Sequence, residues 1–194
     1  MSKNIMIVGV GGQGSLLASK ILGKAAMDIG CDVKVSEVHG MSQRGGSVVT
    51  YVRFGEEVYS PVITKGDADV ILSFELLEAA RWLPILKNGG TIVTSTQQIN
   101  PMPVITGAAV YPDEIVEDMK GLGVDVRAYD CTSIAEAAGN AKASNVALIG
   151  LAADVLGFDI EVLRNAVAAC VPAKALEVNL KAFDMAAEMA KNAQ

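Results

Sequence analysis

The six residues Gly9-Val10-Gly11-Gly12-Gln13-Gly14 constrain this chain more than any others. They match the pattern G-x-G-x-x-G. An apolar, β-branched run at 4–9 leads into them. Leu16, Leu17, Ile21, Leu22, Ala25 and Ala26 follow at helical spacing, and Gly30 is placed to end that helix. A strand, a turn of glycines and a helix in that order open a βαβ unit, which implies a parallel sheet with covered faces. Glycine suits the turn because it adopts positive φ and lets the backbone approach a phosphate closely. The amides and the positive end of the helix then face the anion. The same turn also serves as plain βα geometry with no ligand. Glu37 ends the next strand about twenty residues on, where an acid meets a ribose hydroxyl in dinucleotide sites. Gln13, by contrast, has no part in a dinucleotide fingerprint.

The rest of the chain continues the alternation. Further strands are expected at 32–38, 47–54, 69–74, 91–95 and 124–129. A helix follows the third of these through Leu77, Ala80 and Leu83, and another starts at Pro112 with Asp113 and Glu114 in its first turn. Asn88-Gly89-Gly90 reads as a turn, and 97–107, with Pro101 and Pro103, as a loop. Residues 57–59 follow the strand at 47–54 too closely for a crossover helix, so the two are expected to pair antiparallel. Helices are then expected at 134–138, 144–156, 160–170 behind an Asp159 cap, and 175–191. The expected fold is α/β: a three-layer, Rossmann-like, mainly parallel sheet with an antiparallel hairpin insertion and a helical C-terminal third. At 194 residues, the span 1–194 reads as a single module.

Composition narrows the function classes. Hydrophobic residues make up 51% and aromatics only 5%, which excludes disorder and leaves an aliphatic core. Sixteen basic against 22 acidic residues give a net charge of −6, with no basic footprint for nucleic acid. No apolar run reaches the length of a membrane span. Cys31, Cys131 and Cys170 are far apart and form no CxxC, so no local ligand set for zinc or an iron–sulfur cluster exists. An odd cysteine count and no leader pattern point to a reducing cytoplasm. The aliphatic excess fits either a fully buried core or a protein–protein interface.

A second motif lies between two expected strands: Glu37-Val38-His39-Gly40-Met41-Ser42-Gln43-Arg44-Gly45-Gly46-Ser47. It holds the sole histidine, and glycines flank Arg44, whose guanidinium can grip a phosphate or carboxylate with two hydrogen bonds. It reads equally as a glycine-rich connection with Arg44 paired to Glu37. His39 has no base partner evident in the sequence.

The G-x-G-G-Q-G opening, the E-x-H-G-M-x-Q-R-G-G-S-V loop and the late A-x-N-x-x-x-x-G at 143–150 together resemble the gamma-type subunits of 2-oxoacid:ferredoxin oxidoreductases. The loop wording favours the branch of the indolepyruvate enzyme's small beta subunit, and the likeness covers nearly the whole chain. The resemblance implies one subunit of an enzyme that oxidatively decarboxylates a 2-oxoacid, indolepyruvate or another arylpyruvate. The products are an acyl-coenzyme A and reduced ferredoxin. It places thiamine diphosphate and the iron–sulfur clusters on a large partner subunit, with ferredoxin met through the complex and a homodimer also open. It assigns coenzyme A binding and closure of the site to this chain, with Gly11, Gly12, Gln13, Gly14, Ser42, Gln43, Arg44 and Asn145 as candidate contacts and His39 and Glu37 as further candidates. Asn145 also suits a helix cap. Two other readings remain: an independent NAD(P)-binding oxidoreductase using Glu37, and a non-catalytic scaffold with an empty glycine turn.

Overall fold

The computed structural model describes residues 2–39 and 46–192, with His39 described by its backbone alone. The chain runs β1 (Lys3–Val10), α1 (Ser15–Asp28), β2 (Asp32–His39), β3 (Ser47–Gly55), β4 (Ala68–Ser73), α2 (Leu76–Trp82) and β5 (Leu86–Ser95). It continues through α3 (Met102–Ile105), α4 (Ile115–Gly121), β6 (Asp125–Tyr129), α5 (Cys131–Ala138) and α6 (Ser144–Leu151). It ends with α7 (Ala153–Leu156), α8 (Ile160–Cys170) and α9 (Leu176–Asn192). The strands form one sheet in the order β2-β3-β1-β4-β5-β6. β1, β4, β5 and β6 are parallel neighbours, and β3 runs antiparallel to both β1 and β2.

β1 shows why the sheet is covered on both faces. Ile5, Met6, Ile7 and Val8 are all fully buried. Successive side chains point to opposite faces. Ile5 and Ile7 join a core with α1, α5, α6, α8 and α9, while Met6 and Val8 join a second core with α2 and α4. An apolar run without alternation is what a strand buried on both faces requires. Helix α6 is buried all round, from Asn145 to Leu151, and so forms the centre of the larger helical layer.

The expected architecture is present, with five local differences, the first being that the expected loop at 97–107 holds the short helix α3, which starts behind the extended Pro101 (φ −72°, ψ 164°). The antiparallel partner of β3 is not 57–59. β3 lies between β1 and β2 and pairs along its length with both, which leaves no free edge for a third strand. Residues 57–59 instead tie down the edge as a loop, with Val58 N donating to Asp32 Oδ2 at 2.9 Å. The helix expected from Pro112 starts at Ile115, because Glu114 (φ −107°, ψ 34°) is not yet helical, and its first-turn acids are Glu117 and Asp118. Asn88-Gly89-Gly90 lies within β5, whose register against β4 shifts between Ala68 and Val70. The helix expected over 144–156 breaks at Ala152 (φ −96°, ψ 2°) into α6 and α7.

Candidate functional site

From β1 the chain moves outward through α1 to β2. From β4 it moves the other way, to β5 and β6. The direction of winding therefore reverses between β1 and β4. In open α/β sheets a crevice forms at the carboxyl ends of the strands at such a switch point.

Gln13 closes the top of that crevice. Its Oε1 accepts from Val10 N at 2.7 Å. Its Nε2 donates to the carbonyl of Phe74 at 2.8 Å, just beyond β4, and to Gln97 Oε1 at 2.9 Å, just beyond β5. One carboxamide thus ties together the exits of three strands. Gly9 makes room for it, since a Cβ there would stand 2.7 Å from Gln13 Oε1. Gly14 caps α1 at φ 92°, in the left-handed region. A Cβ on Gly14 would also meet Asn145 Nδ2 at 2.3 Å. The last glycine of the motif therefore serves contact with α6 as well as turn geometry. Asn145 is buried and donates weakly, at 3.4 Å, to the Gly14 carbonyl.

Beside this junction opens a cleft of about 370 Å³. Gly12, Gln13, Gly14 and Asn145 line one part of it. Phe74, Ser95, Gln97 and Cys131 line the strand exits, and Lys142 and Ser144 the far side. The N-termini of α1, α5 and α6 meet here. The first amides of a helix have no partner within it, and its N-terminus carries a partial positive charge, which at α5 the capping Asp130 carboxylate offsets. Among the described lining residues Lys142 is the one cation, and none is a carboxylate or histidine. Burial pushes the Cys131 thiol up to about 12, against a smaller opposing effect of the Ser95 hydroxyl. It is a neutral thiol at physiological pH and not a nucleophile. The helix ends and Lys142 give the cleft a positive character, and among its described lining residues there is no carboxylate or histidine to act as a base.

Of the residues singled out in the sequence, Gly12, Gln13, Gly14 and Asn145 come together in this cleft. Gly11 does not line it. Its N–H donates to the carbonyl of Gly46 at 2.9 Å, which brings the start of β3 against the glycine turn. Ser42, Gln43 and Arg44 lie outside the described residues. His39 pairs through its backbone with Val48 at the end of β2. Glu37 stands elsewhere, in an apolar groove between β2, α1 and α8, with Thr50 Oγ1 at 3.5 Å. In dinucleotide folds the strand carrying the ribose-binding acid is the direct neighbour of the first strand. Here β3 lies between them, which moves Glu37 outward by one more strand spacing of about 4.8 Å. Phe74, Ser95, Gln97, Cys131, Lys142 and Ser144 also line the cleft and belong to none of the sequence motifs. Their signal is positional, because most follow directly on a parallel strand or open a helix.

Comparison with known proteins matches residues 4–189 to the family model of pyruvate ferredoxin/flavodoxin oxidoreductase. The indolepyruvate oxidoreductase subunit IorB of Thermococcus kodakarensis is 45% identical over 97% of this chain and 96% of its own. The common gamma subunit of the pyruvate/ketoisovalerate oxidoreductases of the same organism is 26% identical, over 92% of this chain and 91% of its own. A keto/oxoacid ferredoxin oxidoreductase gamma subunit from Geobacter sulfurreducens has the same fold, with a TM-score of 0.73 at 23% identity over 98% of this chain and 99% of that one. So does part of 2-oxoglutarate:ferredoxin oxidoreductase from Magnetococcus marinus, solved with 2-oxoglutarate, coenzyme A and succinyl-coenzyme A bound. There the TM-score is 0.72 at 21% identity, over 98% of this chain but 31% of that one. The chain belongs to the pyruvate ferredoxin/flavodoxin oxidoreductase family, as a subunit of a 2-oxoacid:ferredoxin oxidoreductase.

Proposed function

We propose that this chain is the small subunit of an arylpyruvate enzyme of the indolepyruvate type, and that its cleft takes the phosphate-bearing part of coenzyme A. The observation that carries the reading is that Lys142, the glycine turn and the N-terminus of α1 line one cleft in which no described lining residue is a carboxylate. Such a cleft suits an anion and offers no carboxylate or histidine as a base, and in this reading the chemistry belongs to a partner. Coenzyme A carries several phosphates, and Lys142 beside the glycine turn fits one of them. The 45% identity to an indolepyruvate subunit, against 26% to a pyruvate/ketoisovalerate one, supports the arylpyruvate branch.

In this reading a large subunit holds thiamine diphosphate and the iron–sulfur clusters and meets ferredoxin. Among the described residues no group of three His, Cys, Asp or Glu side chains stands ready to hold a metal. The 2-oxoglutarate enzyme, which carries this fold as 31% of a longer chain, supports a fold that works joined to others. No helix among the described residues is long and apolar enough to cross a membrane, and we place the complex in the cytoplasm. The small subunit covers the reaction site while the acyl group passes to the thiol of coenzyme A.

The test uses the complex co-expressed with its large subunit. Lys142→Ala and Arg44→Ala should each raise KM for coenzyme A by roughly tenfold or more, the loss of one charge-assisted hydrogen bond. KM for the 2-oxoacid should stay unchanged. An unchanged KM for coenzyme A in both variants overturns the reading of the cleft. Turnover by the isolated chain supplied with thiamine diphosphate overturns the reading of it as a dependent subunit.

A further inference from the structure

Away from the cleft, on the other side of the β4–β5 exit, lies a buried carboxylate that the proposed function does not use. Glu75 stands between β4 and α2 and is 1% exposed. Its Oε2 caps α2 by accepting from Glu78 N at 2.8 Å. Its Oε1 accepts from two groups far along the chain, Ile99 N at 3.1 Å and the Tyr111 hydroxyl at 2.5 Å. Tyr111 in turn accepts from Leu77 N at 3.0 Å. Burial first, and then the hydrogen bond to Glu75, raise the phenol well above its ordinary range, so it stays a donor. Leu76 N donates to the Gln97 carbonyl at 2.9 Å.

These bonds converge on one short stretch. Gln97 and Ile99 are both held from the start of α2, and Tyr111 pins the far end of the same segment. Gln97 is also the residue whose Oε1 receives the Gln13 carboxamide at the cleft. We infer that Glu75 is a positioning residue: its buried carboxylate fixes the exit of β5, so that Gln97 and, through it, Gln13 hold the cleft wall in place. The chemistry requires a carboxylate. Three donors point at Glu75, and an ionised carboxyl only accepts. A glutamine there turns an NH₂ against at least one of the three donors.

The inference rests on the reading of the cleft as a coenzyme A site, and the experiment separates the two. Glu75→Gln, Tyr111→Phe and Gln97→Ala are made in the full chain within the co-expressed complex. Amide hydrogen exchange over residues 96–111 is compared with that of α8 and α9, and KM for coenzyme A with kcat. Glu75→Gln should speed exchange over 96–111 at least tenfold and leave α8 and α9 unchanged. It should raise KM for coenzyme A about three- to tenfold and change kcat less than twofold. Tyr111→Phe, which removes a single hydroxyl, should shift both in the same direction by less. Where Glu75→Gln does not assemble, Tyr111→Phe carries the test. Unchanged exchange over 96–111, or exchange raised equally in α8 and α9, overturns the positioning role. Loosening of 96–111 with KM for coenzyme A unchanged in both Glu75→Gln and Gln97→Ala overturns the coenzyme reading of the cleft and the positioning role toward it. A raised KM in Gln97→Ala with no change in either readout for Glu75→Gln overturns the positioning alone.

Discussion

Gln13→Glu replaces the carboxamide at the strand junction by a group of the same shape, so no cavity opens. What changes is hydrogen-bonding sense. The bond from Val10 N to Oε1 survives, while the two donated by Nε2, to the Phe74 carbonyl and to Gln97 Oε1, are lost. Each lost bond is worth about 0.5–1.5 kcal/mol net, for a sum of roughly 1–3 kcal/mol. In a chain of this size a loss of 1 kcal/mol lowers Tm by about 2–4 °C, so the expected fall at pH 8 is roughly 2–12 °C. The penalty has a pH signature. The introduced carboxyl faces two acceptors, which disfavour its charged form, so its folded pKa lies above the ordinary glutamate value of about 4.3. A raised folded pKa means that the group stabilises the protonated fold at low pH and loses that stabilisation as pH rises through the folded value. The gap between parent and variant should therefore be full at pH 8, narrow on acidification through the raised value, and below about pH 4 fall to the one bond that a single carboxyl proton cannot replace. Thermal melts of both proteins across that range decide the matter. Melting points within about 1 °C at pH 8, or a gap that widens on acidification, would refute the assignment of Gln13 as the tie between strand exits.

Gly14→Ala forces a left-handed residue and a clash with Asn145, so urea unfolding should show a loss of at least about 2 kcal/mol. Adding Asn145→Ala should recover only the clash. Cys131, with its thiol pushed up to about 12 by burial, should resist iodoacetamide at pH 8 in the native protein and react only on unfolding, as peptide mapping would show. Asp130 caps α5 and is held below the ordinary carboxylate range by the Ser133 hydroxyl and amide. Its contribution is complete above the ordinary aspartate value and fades as pH falls through the lower folded one. Asp130→Asn should flatten that part of the acid unfolding curve, read by circular dichroism.

Much of the fold is legible in the sequence because periodicity and punctuation agree. The strand–glycine–helix opening lies where the sequence puts it, and so does α8 behind Asp159, whose side chain accepts from Glu161 N at 2.8 Å. The place of β3 is not legible. Its alternation indicates a strand, yet nothing in 47–54 says that it inserts between β2 and β1 rather than pairing with 57–59. That choice rests on full-length registers with two strands distant in sequence. The site divides in the same way. Gly12, Gln13 and Gly14 are found through their motif, and Asn145 through the late A-x-N-x-x-x-x-G. Gln97, Lys142 and Glu75 belong to no local pattern and gain meaning only when strand exits are brought side by side. Glu37 shows the converse. Its spacing suits a ribose, and sheet order moves it away.

The central place of β1 carries a cost during synthesis. The first strand of the sheet to be made is also wholly apolar at its middle, and its two neighbours, β3 and β4, are encoded at 47–55 and 68–73. At about 5–20 residues per second, some 3–13 s pass between completion of β1 and completion of β4. Through that interval the nascent chain presents an aliphatic strand with an open edge, the feature that folded proteins conceal. Chains stalled or truncated before Ala68 should therefore be the aggregating species in poor expression, and slower decoding across 10–73 should lengthen the demand on ribosome-associated chaperones.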